Sequence, residues 1–126
     1  MIIRLDNREH ALYPLLNKFN QFEFQQLPIG DIHFIGEDSL DGGIGILYIL
    51  ERKTLQDFNC SINDGRWRDQ KCRLVESRIP FGYVIEGPFT ELPETCKSAL
   101  LNCQIRDNIQ IFRTQNVNET AKLVIS

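Results

Sequence analysis

The sequence predicts an α/β domain, and three observations carry that reading. Strand-like apolar runs alternate along the chain with stretches whose apolar residues recur at helical spacing. The run Ile46-Leu47-Tyr48-Ile49-Leu50 is short, bounded by glycines and rich in β-branched and aromatic residues, as a buried central strand requires. The segment Gly36 to Gly45, with Asp41-Gly42-Gly43 at its centre, is long enough to join that strand to the preceding apolar run as an antiparallel hairpin.

Taken in order, Met1 to Leu5 is a strand, and Asp6-Asn7-Arg8-Glu9 turns it into a helix. Leu12, Leu15, Leu16 and Phe19 have the spacing of a buried stripe. Pro14 is tolerated only in a first turn, so this helix starts near Tyr13 or has an irregular entry. Phe22, Phe24 and Gln26 alternate as a second strand, which Leu27-Pro28 ends. Ile29 to Ile35 is the third strand, and the run ending at Glu51 is the fourth. Thr54 followed by Asp57 reads as a small capping box, opening a helix with the stripe Leu55, Phe58 and Ile62. Asn63-Asp64-Gly65 ends it. A further helix over 66–78 is expected to turn Cys72, Val75 and Ile79 to the core. Phe81 to Glu86 is a strand closed by Gly87-Pro88, Thr95 to Arg106 a helix with Cys96 and Cys103 on its buried stripe, and Ile109 to Arg113 a strand. Asn118-Glu119-Thr120 opens a last helix.

With 126 residues, 42% of them hydrophobic, the chain is long enough for one domain with a real core. No run approaches the roughly 18 apolar residues of a membrane span, and the N-terminus has no basic-then-apolar signal region. The four cysteines form no CxxC pair and have no histidines at metal spacing, which fits free thiols in an intracellular, reducing compartment. A net charge of −3 weighs mildly against non-specific nucleic-acid binding, yet between Asp64 and Arg78 five basic residues face three acids, leaving room for one basic face.

The charges at the end of the central strand are its unusual feature. Glu51 and Lys53 are two apart and share a face, and Arg52 points to the other. Taken alone, they are equally well read as a solvated strand end with a surface ion pair. Asp31 lies at the start of one hairpin arm and Glu51 near the end of the other, so the antiparallel pairing brings two carboxylates to the same end of the sheet. Asp57 is explained by its cap. Arg66, Gln70 and Arg73, at i, i+4 and i+7, form one polar row, which on most helices is a solvated face. His33 shares the face of Asp31 but reads as a satisfied histidine rather than a ligand of an oxygen-loving cation.

Asp31 followed on the next strand by Glu51-x-Lys53 is the arrangement of restriction-endonuclease-like nucleases. The chain resembles, more closely, the nuclease domain of the XPF family of structure-specific endonucleases, which includes the Mus/Eme group and archaeal Hef-type enzymes. The residues that carry the likeness are Asp6-x-Arg8-Glu9, Gly30-Asp31, Glu51-Arg52-Lys53 with Asp57, Ser61-Ile62-x-Asp64-Gly65-Arg66, and Gln70 with Arg73-Leu74. The resemblance implies a restriction-endonuclease-like core: a central mixed β-sheet with helices on both faces. It also implies magnesium- or manganese-dependent cutting of branched DNA (flaps, forks or bubbles) near duplex to single-strand junctions, in DNA repair or recombination. A homodimer or heterodimer is implied through the C-terminal part of the domain, where Leu100, Leu101, Ile105, Ile109 and Ile111 are more apolar than one sheet flank readily covers. On the family's template Asp31, Glu51 and the Arg52 backbone carbonyl are metal ligands, Lys53 places the attacking water, and Asp6 and Glu9 lie near the metal. Arg8, Arg52, Arg66, Gln70 and Arg73 face phosphates. The alternative implied by the same family is an inactive DNA-binding scaffold subunit, which would carry a broken Glu-Arg-Lys triplet; here the triplet is intact. The tandem helix-hairpin-helix module usual in the family has no counterpart in these 126 residues, and the chain, ending inside an apolar helix, reads as an excerpt of a longer protein.

Overall fold

A computed structural model describes residues 2–37, 44–88 and 92–125, the side chain of residue 37 excepted. The Asp41-Gly42-Gly43 centre of the hairpin loop therefore lies outside the described residues. The element order is β1 (Ile2–Asp6), α1 (Tyr13–Leu16), β2 (Phe22–Gln25), β3 (Ile32–Glu37), β4 (Ile44–Thr54), α2 (Leu55–Asn63), α3 (Arg66–Glu76), β5 (Phe81–Glu86), α4 (Glu94–Leu101), β6 (Gln110–Thr114) and α5 (Val117–Ile125). The strands form one mixed sheet in the order β2-β1-β3-β4-β5-β6. β3 is antiparallel to both β1 and β4, whereas β4, β5 and β6 run parallel. The expected α/β architecture, with helices on both faces of a mixed sheet, is the one observed.

Two apolar layers hold the sheet. On one face Ile3, Leu5, Leu50 and Val84 pack with Leu12 and Leu16 from α1 and its flank and with Ala121 and Val124 from α5. On the other, Ile49, Tyr83 and Ile85 pack with Phe58 of α2, Trp67 and Leu74 of α3, and Cys96 of α4. Trp67 lies against Tyr83 and Phe58, with ring centroids 4.4 and 4.8 Å apart. Strand alternation explains why neighbours in β4 serve opposite layers: Ile49 enters the second and Leu50 the first.

Some expectations shift. β3 begins at Ile32, three residues later than the apolar run suggests, because Gly30 adopts left-handed backbone (φ +71°) and makes 29–31 a turn. β4 runs on to Thr54, so Glu51, Arg52 and Lys53 all belong to the strand. In α3 the buried side chains are Trp67 and Leu74, while Cys72 is exposed and Val75 is 56% exposed; only Ile79, beyond the helix, meets the core as expected. The reason is the helix start at Arg66 behind the Gly65 cap, which puts Trp67 and Leu74, seven apart, on the inner stripe. Arg78 in left-handed backbone (φ 60°) ends that helix before its expected limit. The helix expected over 95–106 is α helix to Leu101 and a π turn from Asn102 to Arg106, and Cys96 and Cys103 are both buried. All four cysteines are free thiols. Among the described residues no helix is long and apolar enough to cross a membrane.

Candidate active site

The site forms where the turn before β3 meets the charged end of β4. Asp31 continues the antiparallel ladder beyond the Ile32–Leu50 pair, its N–H donating to the Leu50 carbonyl at 3.0 Å. That pairing sets it beside Glu51. Gly30 makes the approach possible, since a Cβ at that position would stand 2.3 Å from Cγ2 of Ile49. A cleft of about 380 Å³ opens here, lined by Arg8, Gly30, Asp31, Glu51, Gln70 and Arg73 among others. Five of the candidate site residues, Arg8, Asp31, Glu51, Gln70 and Arg73, thus meet in one cavity.

Its electrostatics are those of crowded carboxylates. Burial, followed by the charge of Glu51, pushes the Asp31 carboxyl up to about 7, although the Arg52 N–H donates to its Oδ2 at 2.7 Å. Burial raises Glu51 as well, against the opposing charge of Lys53. Glu9 rises to about 7 through burial and the nearby charge of Asp31. Lys53, on the same face of β4 as Glu51, is 9% exposed. Carboxylates that resist ionisation next to one another constitute an oxygen-rich spot whose repulsion a hard cation would relieve. Among the described residues no group of three or more His, Cys, Asp or Glu forms a ready-made cage. Two carboxylates nonetheless suit magnesium, which keeps several waters and takes one or two protein carboxylates.

The remaining predicted residues have distinct placements. Asp6 is buried and takes Arg8 Nε and Nη2 at 2.9 and 3.0 Å, with N–H donors from Arg8 and Leu27. The hydrogen bonds from Arg8 outweigh burial and hold its carboxyl down at about 2. Asp6 is thereby the anchor of Arg8, whose side chain is 77% exposed at the cleft wall. Arg66 pairs with Asp64 at 2.8 Å, and Gln70 and Arg73, one and two turns on, line the cleft without it. Asp57 is exposed, and its N–H donates to the Thr54 hydroxyl at 3.2 Å, as the cap requires. His33 is 2% exposed, with Nε2 donating to the Ile29 carbonyl at 2.6 Å, so it is satisfied within the turn.

Arg52 departs most from expectation. Its guanidinium does not face the cleft: it is buried between Glu9, at 2.8 Å, and Glu86, at 2.9 and 2.6 Å. Among the residues lining the cleft it touches Asp31 through its main-chain N–H, whereas its side chain takes Glu9, which does not line the cleft. Strand alternation had placed it on the opposite face, and that face is occupied by carboxylates from β5 and the β1–α1 connection rather than by solvent. Glu86 is the residue that sequence reasoning passed over. Nothing adjacent in the chain marks it; only the parallel register of β4 and β5, which pairs Thr54 with Glu86, brings it diagonal to Arg52.

A mixed six-stranded sheet with an acidic, lysine-bearing strand end places the molecule in the restriction-endonuclease-like fold class. The XPF protein of Aeropyrum pernix, in complex with DNA, has the same fold, with a TM-score of 0.78 and 26% identity over 98% of this chain and 60% of that one. Residues 5–126 match the ERCC4 domain, and the chain belongs to that family. The crossover junction endonuclease MUS81 of Arabidopsis thaliana is 30% identical across 97% of this chain, and the structure-specific endonuclease subunit MUS81 of Homo sapiens is 32% identical across 77%. The chain spans about a fifth of the length of these two relatives (21% and 20%).

Proposed function

We propose that this domain is a divalent-metal-dependent endonuclease that hydrolyses phosphodiester bonds in branched DNA, near junctions of duplex and single strand. The observation that carries the reading is the meeting of Asp31 and Glu51 in one cleft with Arg8, Gln70 and Arg73. Asp31 and Glu51, with the Arg52 carbonyl, would hold magnesium or manganese, which when bound neutralises developing charge and lowers the pKa of water. Lys53, buried beside Glu51, orients the attacking water and stabilises negative charge as it forms. Arg8, held rigid by Asp6, and Arg73 engage phosphates, and the Gln70 amide, whose Oε1 is buried without a partner, supplies a further polar contact at the cleft wall. Phosphate contacts of this kind read DNA shape rather than sequence. Arg66 belongs to this surface only if it leaves Asp64, and Arg52 acts from behind the site through its ion pairs.

The kinship with a subunit named structure-specific endonuclease MUS81 supports a partnered enzyme, and Leu101 and Ile105, 54% and 79% exposed, offer apolar surface for self- or hetero-association at the end of α4. Four free thiols favour a reducing intracellular compartment, and the kinship with crossover junction endonucleases favours sites of DNA repair or recombination. The decisive experiment incubates the purified chain with labelled flap, fork, bubble and linear duplexes, with and without magnesium or manganese. Metal-dependent cuts near the branch are expected. Binding without cleavage under every condition would instead identify the domain as a scaffold.

A further inference from the structure

Behind the candidate site, on the opposite face of β4, a buried polar chain runs from Arg52 into the last helix. Glu86 Oε1 and Oε2 accept from Arg52 Nε and Nη2 at 2.9 and 2.6 Å. Glu86 Oε1 also accepts the Thr120 hydroxyl at 2.6 Å. With its one proton directed to Glu86, nearer than the Asn116 carbonyl at 3.3 Å, Thr120 accepts from the Thr114 hydroxyl, 2.7 Å away. Glu86, Thr114 and Thr120 are 7%, 4% and 0% exposed. β5, β6 and α5 each contribute one of these three side chains. At its other end Arg52 binds Glu9, and its N–H holds Asp31 Oδ2.

Such a chain has a cost that the fold would avoid if packing alone were needed. An apolar side chain at 120 would seal α5 onto the sheet as well, with no buried hydroxyl to satisfy, and buried ionic pairs are weak contributors to net stability. What the hydroxyl adds is direction. Without the hydroxyl, Glu86 could turn about its terminal torsion and draw the guanidinium with it against the single bond to Glu9; the Thr120 hydroxyl fixes the plane of Glu86 and hence of the bidentate fork. The residue that carries the fork also supplies the backbone N–H that holds Asp31 Oδ2, so the two ends are joined through one side chain.

We propose that Glu86 and Thr120 are positioning residues for the candidate site, transmitting the docking of α5 through the Arg52 guanidinium to the geometry of Asp31 and Glu51. The inference rests on the nuclease reading of that site, but one arm of its test does not. Placement of the catalytic strand then depends on how α5 sits, so a perturbation of the last helix is felt in a cleft to which that helix contributes no lining residue named above.

The test compares Thr120→Val, which keeps the shape and removes the hydroxyl, with Thr120→Ser, which restores it, in the 126-residue chain. In the first arm, nitrogen-15 spectra without metal or DNA follow the Arg52 Nε–Hε and backbone N–H resonances. Thr120→Val should displace both and speed Hε exchange with solvent about tenfold, and Thr120→Ser should return them to wild-type positions. In the second, single-turnover cleavage of a flap at saturating DNA should fall about tenfold in Thr120→Val with DNA affinity unchanged, and recover in Thr120→Ser. Should Thr120→Val fail to fold by circular dichroism, Thr120→Ala takes its place, since it removes volume instead of exchanging a hydroxyl for a methyl. Unmoved Arg52 resonances would overturn the proposal, as would a rate loss shared by the serine variant or matched by lost DNA affinity. If the wild-type chain cuts no DNA at all, the nuclease reading fails, and the spectra alone decide the coupling.

Discussion

Arg52 sits between two residues of the candidate site and makes all three of its side-chain bonds behind it. Hydrogen bonds from Arg52 and Thr120 hold the Glu86 carboxyl below its ordinary value against the upward push of burial. Removal of the cation would leave two buried carboxylates facing one another, so Arg52→Ala should destabilise the fold by about 3–5 kcal/mol, the range for breaking a buried pair. Urea unfolding followed by circular dichroism measures this, and a loss below about 1 kcal/mol would return Arg52 to the phosphate-facing role that the family resemblance implies. Asp31 and Glu51 should behave in the opposite way. Each is raised by burial and stands in a cleft of crowded carboxylates, so Asp31→Ala or Glu51→Ala should hold or increase stability while lowering metal-dependent cleavage by more than about a hundredfold, beyond what loss of a supporting contact causes. A variant of either that cuts a flap at the wild-type rate shows the site to be elsewhere.

At the scale of elements, the turn 29–31 determines whether Asp31 meets Glu51. Gly30→Ala imposes left-handed backbone on a side chain and drives its Cβ into Ile49. Strain of this kind costs roughly 1–3 kcal/mol where the surroundings give way, and the way to give here is to lift the turn off β4. The variant should therefore stay folded with a lowered melting temperature and lose cleavage in step with metal binding; unchanged metal affinity would show that the turn tolerates the methyl. The hairpin that joins Asp31 to Glu51 was legible in the sequence because alternation and a glycine-rich loop determine antiparallel pairing, and the Thr54 cap was legible because capping is local. The inner stripe of α3 was misread. Periodicity gives the spacing of a stripe but not which of several apolar sets it takes, and Cys72 and Val75 compete on equal terms until Trp67 is seen packed between Phe58 and Tyr83. Glu86 had no local signal at all, because its partner is set by a parallel crossover through two helices.

Over the whole molecule the carboxyl groups pull stability in opposite directions as pH changes. Asp6, held at about 2, stabilises fully above its unfolded pKa near 4, and that contribution is lost as pH falls toward 2. Asp31 and Glu9, raised to about 7, bind protons more tightly folded than unfolded, so their contribution is present below about pH 4 and is lost as pH rises toward 7. Without metal, melting temperature should decline between about pH 5 and 7, and Asp31→Asn should flatten the decline. Manganese should raise the melting temperature more at about pH 8 than at about pH 5, because only ionised ligands bind it. A manganese shift independent of pH would place the cation away from these carboxylates. Association belongs to this scale too: Leu101→Glu with Ile105→Glu should shift any dimer seen by sedimentation to monomer, with the fold intact. The apolar layer over α1 and α5 has a further consequence. Its members Ile3 and Leu12 are synthesised long before Ala121 and Val124, so that layer cannot close until α5 has emerged. A nascent chain stalled before α5 is made would leave Leu50 and Val84 without that helix's cover, apolar surface of the kind that invites aggregation.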